Sequence, residues 1–259
     1  MMKLLVTNDD GLNSRGLHQL VETLAEMAEI YVVAPDRERS GTGHGITVFE
    51  PIMIKRIDSL NAAQKAWIVY GTPVDCVKLG ISALLPEKPD LVVSGINRGP
   101  NLGWDVLYSG TVSAAVEGVI MGVPSIAVSL CSYKDTADYS FAARFTRAVC
   151  RQLQRDGVDK DTIININVPA IPRPEIKGMR VTRLGSRRYD NIFEERKDPR
   201  GNTYFWLGGD VVEEDQEPDS DVAAINEGFI SVTPIHFDLT DYRLIEKYRH
   251  NYRDFIDQV

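Results

Sequence analysis

Asp9 and Asp10 stand side by side where a short apolar run, Met2-Lys3-Leu4-Leu5-Val6-Thr7, gives way to Asn8 and then Gly11. Adjacent carboxylates repel, and the conflict is relieved by raising one pKa or by binding a cation. A hard divalent ion takes oxygen ligands, so the pair reads as one edge of a metal site. The plainer alternative is that Asn8 and Asp9 cap the helix that follows. A cap needs one such residue, and the second acid favours the site. Two further oxygen donors come from later loops: Ser40, in the charged and glycine-rich stretch Pro35 to Gly45, and Asn97, in the stretch Ser94 to Thr111. Asp9, Asp10, Ser40 and Asn97 together form an all-oxygen set suited to Mg²⁺, Mn²⁺ or Ca²⁺ and unlike a thiolate–imidazole zinc site.

A second group has the chemistry of an anion seat. Ser109-Gly110-Thr111 opens a helix, Val112 to about Met121, with no acid in its first turn. Unbonded amides and the helix dipole favour negative charge at such a start. The alternative is a tightly packed helix with Thr111 as its cap. In the glycine-rich loop, Gly43 lets backbone amides approach a ligand closely. His44 there could serve as an acid or phosphate donor, or as an ordinary hydrogen-bonded loop residue. A metal that polarises a phosphoryl oxygen beside a helix start that holds the others describes a phosphoryl-transfer site. The candidate catalytic residues are Asp9, Asp10 and Asn97. The candidate phosphate contacts are Asn8, Gly43, His44, Asn97, Ser109, Gly110 and Thr111.

The elements that must position these groups read as α/β. Short apolar runs bounded by turn residues are buried parallel strands: Met2 to Thr7, Ile30 to Ala34, Pro89 to Ser94, Val123 to Ser129 and the alternating Ile163 to Pro169. Between them lie helical patterns, Leu17-Leu20-Val21-Leu24 and Phe141-Phe145-Ala148-Val149, and a helix from Pro73 with Thr72 as cap. Asp75 suits the positive end of that helix without any catalytic role. A doubly wound, mostly parallel sheet is expected, with ligands beyond the carboxyl ends of its strands. Three regions are expected: a core over 1–172, a β-hairpin appendage over 173–215, and a strand and helix over 216–259. The appendage is expected to pair Met179–Thr182 with Thr203–Leu207 through the turn Asp198 to Asn202. Its Arg183, Arg187 and Arg188 could meet a distal substrate charge or form a solvated or subunit-facing patch. A terminal helix, Tyr242 to Ile256, carries one broad apolar face that could pack on its own core or on a partner subunit.

The net charge of −8 over 259 residues argues against duplex nucleic acid, which needs a basic face. No apolar stretch approaches the ~20 residues of a membrane span, and Lys3 is followed by acid too soon for a secretory leader. Three cysteines with no ligand spacing suit a reducing, cytoplasmic setting. An aspartyl-phosphate phosphatase of the haloacid dehalogenase type expects its two aspartates one residue apart, whereas these are adjacent. A non-catalytic nucleotide sensor on the same fold has little use for paired carboxylates at a strand end.

The motifs Val6-Thr7-Asn8-Asp9-Asp10-Gly11, Ala34-Pro35-Asp36-Arg37 with Ser40, Gly71-Thr72-Pro73-Val74-Asp75-Cys76-Val77, Ser94-Gly95-Ile96-Asn97-Arg98-Gly99 with Asn101, Tyr108-Ser109-Gly110-Thr111-Val112 and Ile230-Ser231-Val232-Thr233-Pro234 occur in one order along the chain. In this the sequence resembles the SurE family of 5′/3′-nucleotidases over nearly its whole length. The resemblance implies a Rossmann-like core and a divalent-metal phosphatase acting on nucleoside monophosphates, sometimes also on polyphosphate. It places the metal ligands at Asp9, Asp10, Ser40 and Asn97. It also implies dimers or tetramers formed through the hairpin and an exchanged C-terminal segment, which suits the Thr233-Pro234 break. The mechanism expected is attack on phosphorus by a metal-activated water that Asp9 or Asp10 orients or deprotonates. The stretch Gly41 to Gly45 departs from a loop that is serine-rich in many relatives.

Overall fold

The structure is a computed structural model and describes residues 1–157, 161–190, 192–213 and 217–253. In chain order its elements are β1 (Met2–Thr7), α1 (Arg15–Leu24), β2 (Ala28–Pro35), β3 (Ile54–Ile57), β4 (Lys65–Val69) and α2 (Pro73–Leu79). Then come β5 (Leu91–Arg98), α3 (Gly110–Ile120), β6 (Ser125–Cys131), α4 (Ser140–Asp156), β7 (Ile163–Pro169), β8 (Met179–Val181) and β9 (Arg187–Tyr189). The chain continues through β10 (Ile192–Lys197), β11 (Thr203–Gly208), β12 (Val211–Glu213), α5 (Asp221–Asn226), β13 (Ile230–Ile235) and α6 (Tyr242–Asn251).

Nine strands form one sheet in the order β3-β4-β2-β1-β5-β6-β7-β13-β8. The six strands from β4 to β7 are parallel to one another, and β3 and β13 flank them antiparallel. A parallel strand buried on both faces must be apolar on both, and β1 is: Leu4 and Val6 join the core shared with Leu17, Leu20 and Cys150, while Leu5 joins Cys76, Val77 and Ala114. Helices α1 and α4 therefore cover one face and α2 and α3 the other. The chain winds outward from β1 in one direction through β2 and β4, and in the other through β5, β6 and β7. The crevice between β1 and β5 is the switch point where such sheets bind ligands.

Three expectations need correction. Strand β5 does not end at Ser94. A bulge interrupts its register with β6 between Ser94 and Asn97, and pairing resumes at Asn97 and Arg98. Gly95, at φ +137°, makes that possible, since a Cβ there would sit 2.3 Å from the Val128 carbonyl oxygen. The strand at Met179 does not belong to the hairpin. It pairs in parallel with β13 at the sheet edge, and the hairpin is β10 with β11, closed by the expected turn. Residues 173–182 thus serve the main sheet, and a second small ladder, β9 with β12, joins the base of the appendage. Strand β13 also runs through Pro234 to Ile235. Its ladder with β8 stops at Val232, so an edge is open where the proline lacks its N–H. Helix α6 has no buried residue, so of the two homes left open for its apolar face, its own core or a partner subunit, the first is not taken. Phe255 and Ile256, expected in that helix, lie outside the described residues.

Candidate active site

Strand β1 delivers Asn8, Asp9 and Asp10 into the switch-point crevice, and Asn8 and Asp9 are buried. Neither caps the next helix. Ser14 does, its hydroxyl accepting from the Leu17 amide. Asn8 supports this turn from within, its Nδ2 donating to the Gly11 carbonyl at 3.0 Å and to Ser14 Oγ at 2.7 Å. With both N–H groups used, Asn8 has only Oδ1 to offer, a buried acceptor with no partner. The Asn8 side chain, so bonded, has no donor left for the expected phosphate contact.

Asp9 is held by the start of α3. The Thr111 hydroxyl donates to Asp9 Oδ1, and the Thr111 amide faces the same carboxylate. Gly110 packs directly on it: a Cβ there would lie 2.8 Å from Asp9 Cβ and 2.9 Å from Oδ2. The anion at this helix start is therefore Asp9 itself, and Thr111 serves the carboxylate in place of an incoming phosphate. Nor is Thr111 the cap; Ser109 is, accepting from the Val112 amide at 3.0 Å. Asp10 Oδ2 accepts from the Arg98 amide at 3.0 Å, just past Asn97 on β5. Asn97 is buried, and its Nδ2 donates to the Gly99 carbonyl at 2.9 Å, which fixes Oδ1 as its acceptor.

The loop after β2 reaches the same place. The Arg39 amide donates to the Asp9 carbonyl at 2.7 Å, and the exposed Ser40 adjoins that bond in sequence. Ser40 Oγ donates to Glu38 Oε1 at 2.9 Å, so its lone pairs are not spent on a donor. Burial raises the Asp9 carboxyl against the opposing Thr111 bonds. Asp10 is pushed up to about 7, first by burial and then by the charge of Asp9, with Glu38 adding to the repulsion and the Arg98 amide opposing it.

Two crowded carboxylates, a fixed amide oxygen, a hydroxyl oxygen and the orphaned Asn8 Oδ1 fit a hard divalent ion, which would supply the missing positive charge. Among the described residues no group of three or more His, Cys, Asp or Glu could hold a metal ion, so such a site depends on Asn97 and Ser40 as well as the acids. The three cysteines are free.

Other expected residues lie elsewhere. The Gly43 amide is bonded to the Tyr108 carbonyl at 3.0 Å, so it is not an open phosphate donor. His44 turns Nε2 onto Glu117 at 2.9 Å, seven residues along α3 from Gly110, and does not face the helix start. Arg187 is buried and paired with Asp105, and Arg183 pairs with Asp219 at 3.0 Å. Neither is an open anion contact; the side chain of Arg188 lies outside the described part of the structure. Asp75 is structural, as expected: it completes the capping box of α2 and also accepts from Thr47 N and Oγ1. Sequence reasoning missed Glu38 and Glu117. Glu117 has a visible signal, a lone acid amid the small and apolar residues of α3.

The family model described as Survival protein SurE matches residues 4–191. The chain belongs to the SurE family. It is 61% identical over 254 residues to a 5′-nucleotidase SurE of Syntrophomonas wolfei subsp. wolfei, covering 98% of this chain and 96% of that one. A 5′-nucleotidase SurE of Heliobacterium modesticaldum is 56% identical, with 95% and 90% covered. The crystal structure of the SurE protein from Aquifex aeolicus superposes with a TM-score of 0.81 at 40% identity, covering 96% of this chain and 99% of that one. The family's match extends through every loop that lines the crevice.

Proposed function

We propose that this chain is a divalent-metal-dependent phosphomonoesterase that converts nucleoside 5′- and 3′-monophosphates to nucleoside and phosphate. The observation that carries the reading is the buried Asp9–Asp10 pair at the switch point, packed on the glycine start of α3. The names of the relatives at 61% and 56% identity supply the nucleotide. Asp9, Asp10, Ser40 and Asn97 would hold one Mg²⁺, Mn²⁺ or Ca²⁺. When bound, the ion polarises a phosphoryl oxygen and lowers the pKa of a water. Asp9 is committed to α3, whereas Asp10 uses Oδ2 on Arg98 and keeps Oδ1 to orient the attacking water and take its proton. The second N–H of Asn97, the Ser109 hydroxyl and the Gly110 amide are the donors left for the phosphate oxygens. Preorganised donors of this kind favour the charge that builds on those oxygens in the transition state.

No helix of the described residues is long and apolar enough to cross a membrane. The reduced cysteines support a cytoplasmic setting. Exposed Phe193, Phe205, Trp206 and Leu207 on the hairpin support a homodimer or homotetramer.

The test is phosphate release from a panel of 5′- and 3′-nucleoside monophosphates and polyphosphate, with EDTA and with each added metal. Release that needs metal and falls at least about 10³-fold in Asp10→Asn is expected, because both positioning and metal charge are lost. Metal-independent release would remove the metal from the reading, and no release with nucleotide binding intact would sink it in favour of a sensor. An acyl-phosphate trapped with borohydride would replace water by an aspartate as nucleophile.

A further inference from the structure

Glu117 is a buried carboxylate for which the proposed mechanism has no use. Its side chain is 3% exposed, yet it is bonded to two groups from elsewhere in the chain, Lys78 Nζ of α2 at 2.8 Å and His44 Nε2 at 2.9 Å. Burial alone would raise its carboxyl, but the bonds from His44 and Lys78 outweigh that and hold it below the usual range. Lys78 suffices to balance the charge between the two helices. His44 comes from the glycine-rich loop instead, across 73 residues of sequence.

That loop is tied at intervals to the walls of the crevice. Arg39 N bonds the Asp9 carbonyl at 2.7 Å, and Gly43 N the Tyr108 carbonyl at 3.0 Å. Gly45 O accepts from the Thr72 hydroxyl at 2.8 Å, while Thr47 N and Oγ1 bond the Asp75 carboxylate at 3.0 and 2.6 Å. Within it Gly41 and Gly43 take φ of +73° and +55°, and nothing lies within 4 Å of a Cβ built on Gly41. The loop therefore runs from Asp9 past the start of α3 to the start of α2, and its middle has little packing of its own. Residues seven apart on a helix share a face and lie roughly 10 Å apart along its axis. Glu117 is thus on the face of α3 that presents Gly110 to Asp9, too far down to touch the reacting phosphate.

We infer that Glu117 is a positioning residue that clamps His44, and through it the glycine-rich loop, across the open side of the phosphate site. The clamp sets how tightly the nucleotide is held. His44 acts on the loop's conformation, not on the transferred group. This rests on the phosphatase reading above, since the tightness it sets is that of a nucleotide phosphate.

The experiment uses the full chain with Mg²⁺ or Mn²⁺ and compares wild type with His44→Ala and His44→Gln, whose amide can still donate to Glu117. Hydrogen exchange is followed at Gly43 and Thr47 alongside steady-state kinetics on a nucleoside monophosphate. In His44→Ala the two amides should exchange about tenfold faster while amides in the core of α3 keep their protection. KM should rise about fivefold or more with kcat within about threefold, the pattern of lost uniform binding, and His44→Gln should recover most of both changes. Unchanged exchange and KM in His44→Ala would overturn the clamp. So would a fall of 100-fold or so in kcat at constant KM, which is the mark of a group in contact with the reaction. A wild-type chain that releases no phosphate, yet whose loop loosens in His44→Ala, would leave the clamp standing and remove the phosphatase.

Discussion

Two regions of this chain end in loops rich in side chains that bind things, and they are built in opposite ways. At the β1–β5 crevice Thr7, Asn8, Asp9, Asn97 and Thr111 are buried, and the contacts of Asp9, Asp10 and Asn97 come from the same chain. Along β10 and β11 every residue is exposed. The hairpin's pairing puts Phe193, Leu207 and Phe205 on one face and Ile192, Trp206 and Tyr204 on the other, so both faces are apolar. A free two-stranded hairpin is marginal in water, and a patch of this kind on a single chain marks a surface meant to be covered. The crevice acids find partners within the chain, whereas both apolar faces of the hairpin are left exposed.

The most direct way to break this contrast is to disturb the crevice from inside. Gly110→Ala puts a methyl where Asp9 and the Pro73 ring, 3.1 Å away, already stand. Overpacking of that kind costs about 1–3 kcal/mol, and shifting Asp9 should lower kcat/KM by about 100-fold. Thermal melting and kinetics read the two effects, and a variant as active as wild type would show that the helix start does not seat Asp9.

A change of pH sharpens the same point. The folded-state pKa of Asp10, about 7, stands above its ordinary 3.8. Its protonated form is the one the fold favours, so the contribution is complete below the ordinary value and is lost as pH rises through about 7. Metal-free protein should melt at falling temperature from pH 5 to pH 8 or so, and Asp10→Asn or saturating metal should flatten that slope. A slope unaltered by both would remove Asp10 as its source.

The smallest effect on the site is expected from the hairpin. Phe205→Asp with Trp206→Asp should convert an oligomer to monomer by light scattering, while metal affinity by calorimetry stays within about twofold. Metal affinity that collapses with the oligomer would mean that the crevice needs its neighbour after all.

Much of this was legible in local sequence. The apolar run into Asn8-Asp9-Asp10, the Thr72-Pro73 helix start with Asp75 and the Asp198 to Asn202 turn depend on residues within a few positions of one another, and each forms where it was expected. The partner of the hairpin was not legible, because Met179–Val181 and Ile192–Lys197 are both short runs able to form a strand. The choice lay with β13, whose open edge accepts the first of them. Orientation was harder still. Arg187 and His44 are a cation and an imidazole in polar loops, and only their distant partners, Asp105 and Glu117, turn them away from the substrate.

By itself, then, the sequence determined the end of β1, the Thr72 cap of α2 and the set of oxygen donors, since periodicity and capping are contacts between near neighbours. Tertiary structure alone decided what those donors face. Thr111 meets Asp9 across 102 residues and Asp10 meets Arg98 across 88. Pairings at that separation exist only once the parallel sheet has brought β1, β5 and the start of α3 to one edge, and burial there pushes the carboxyls up.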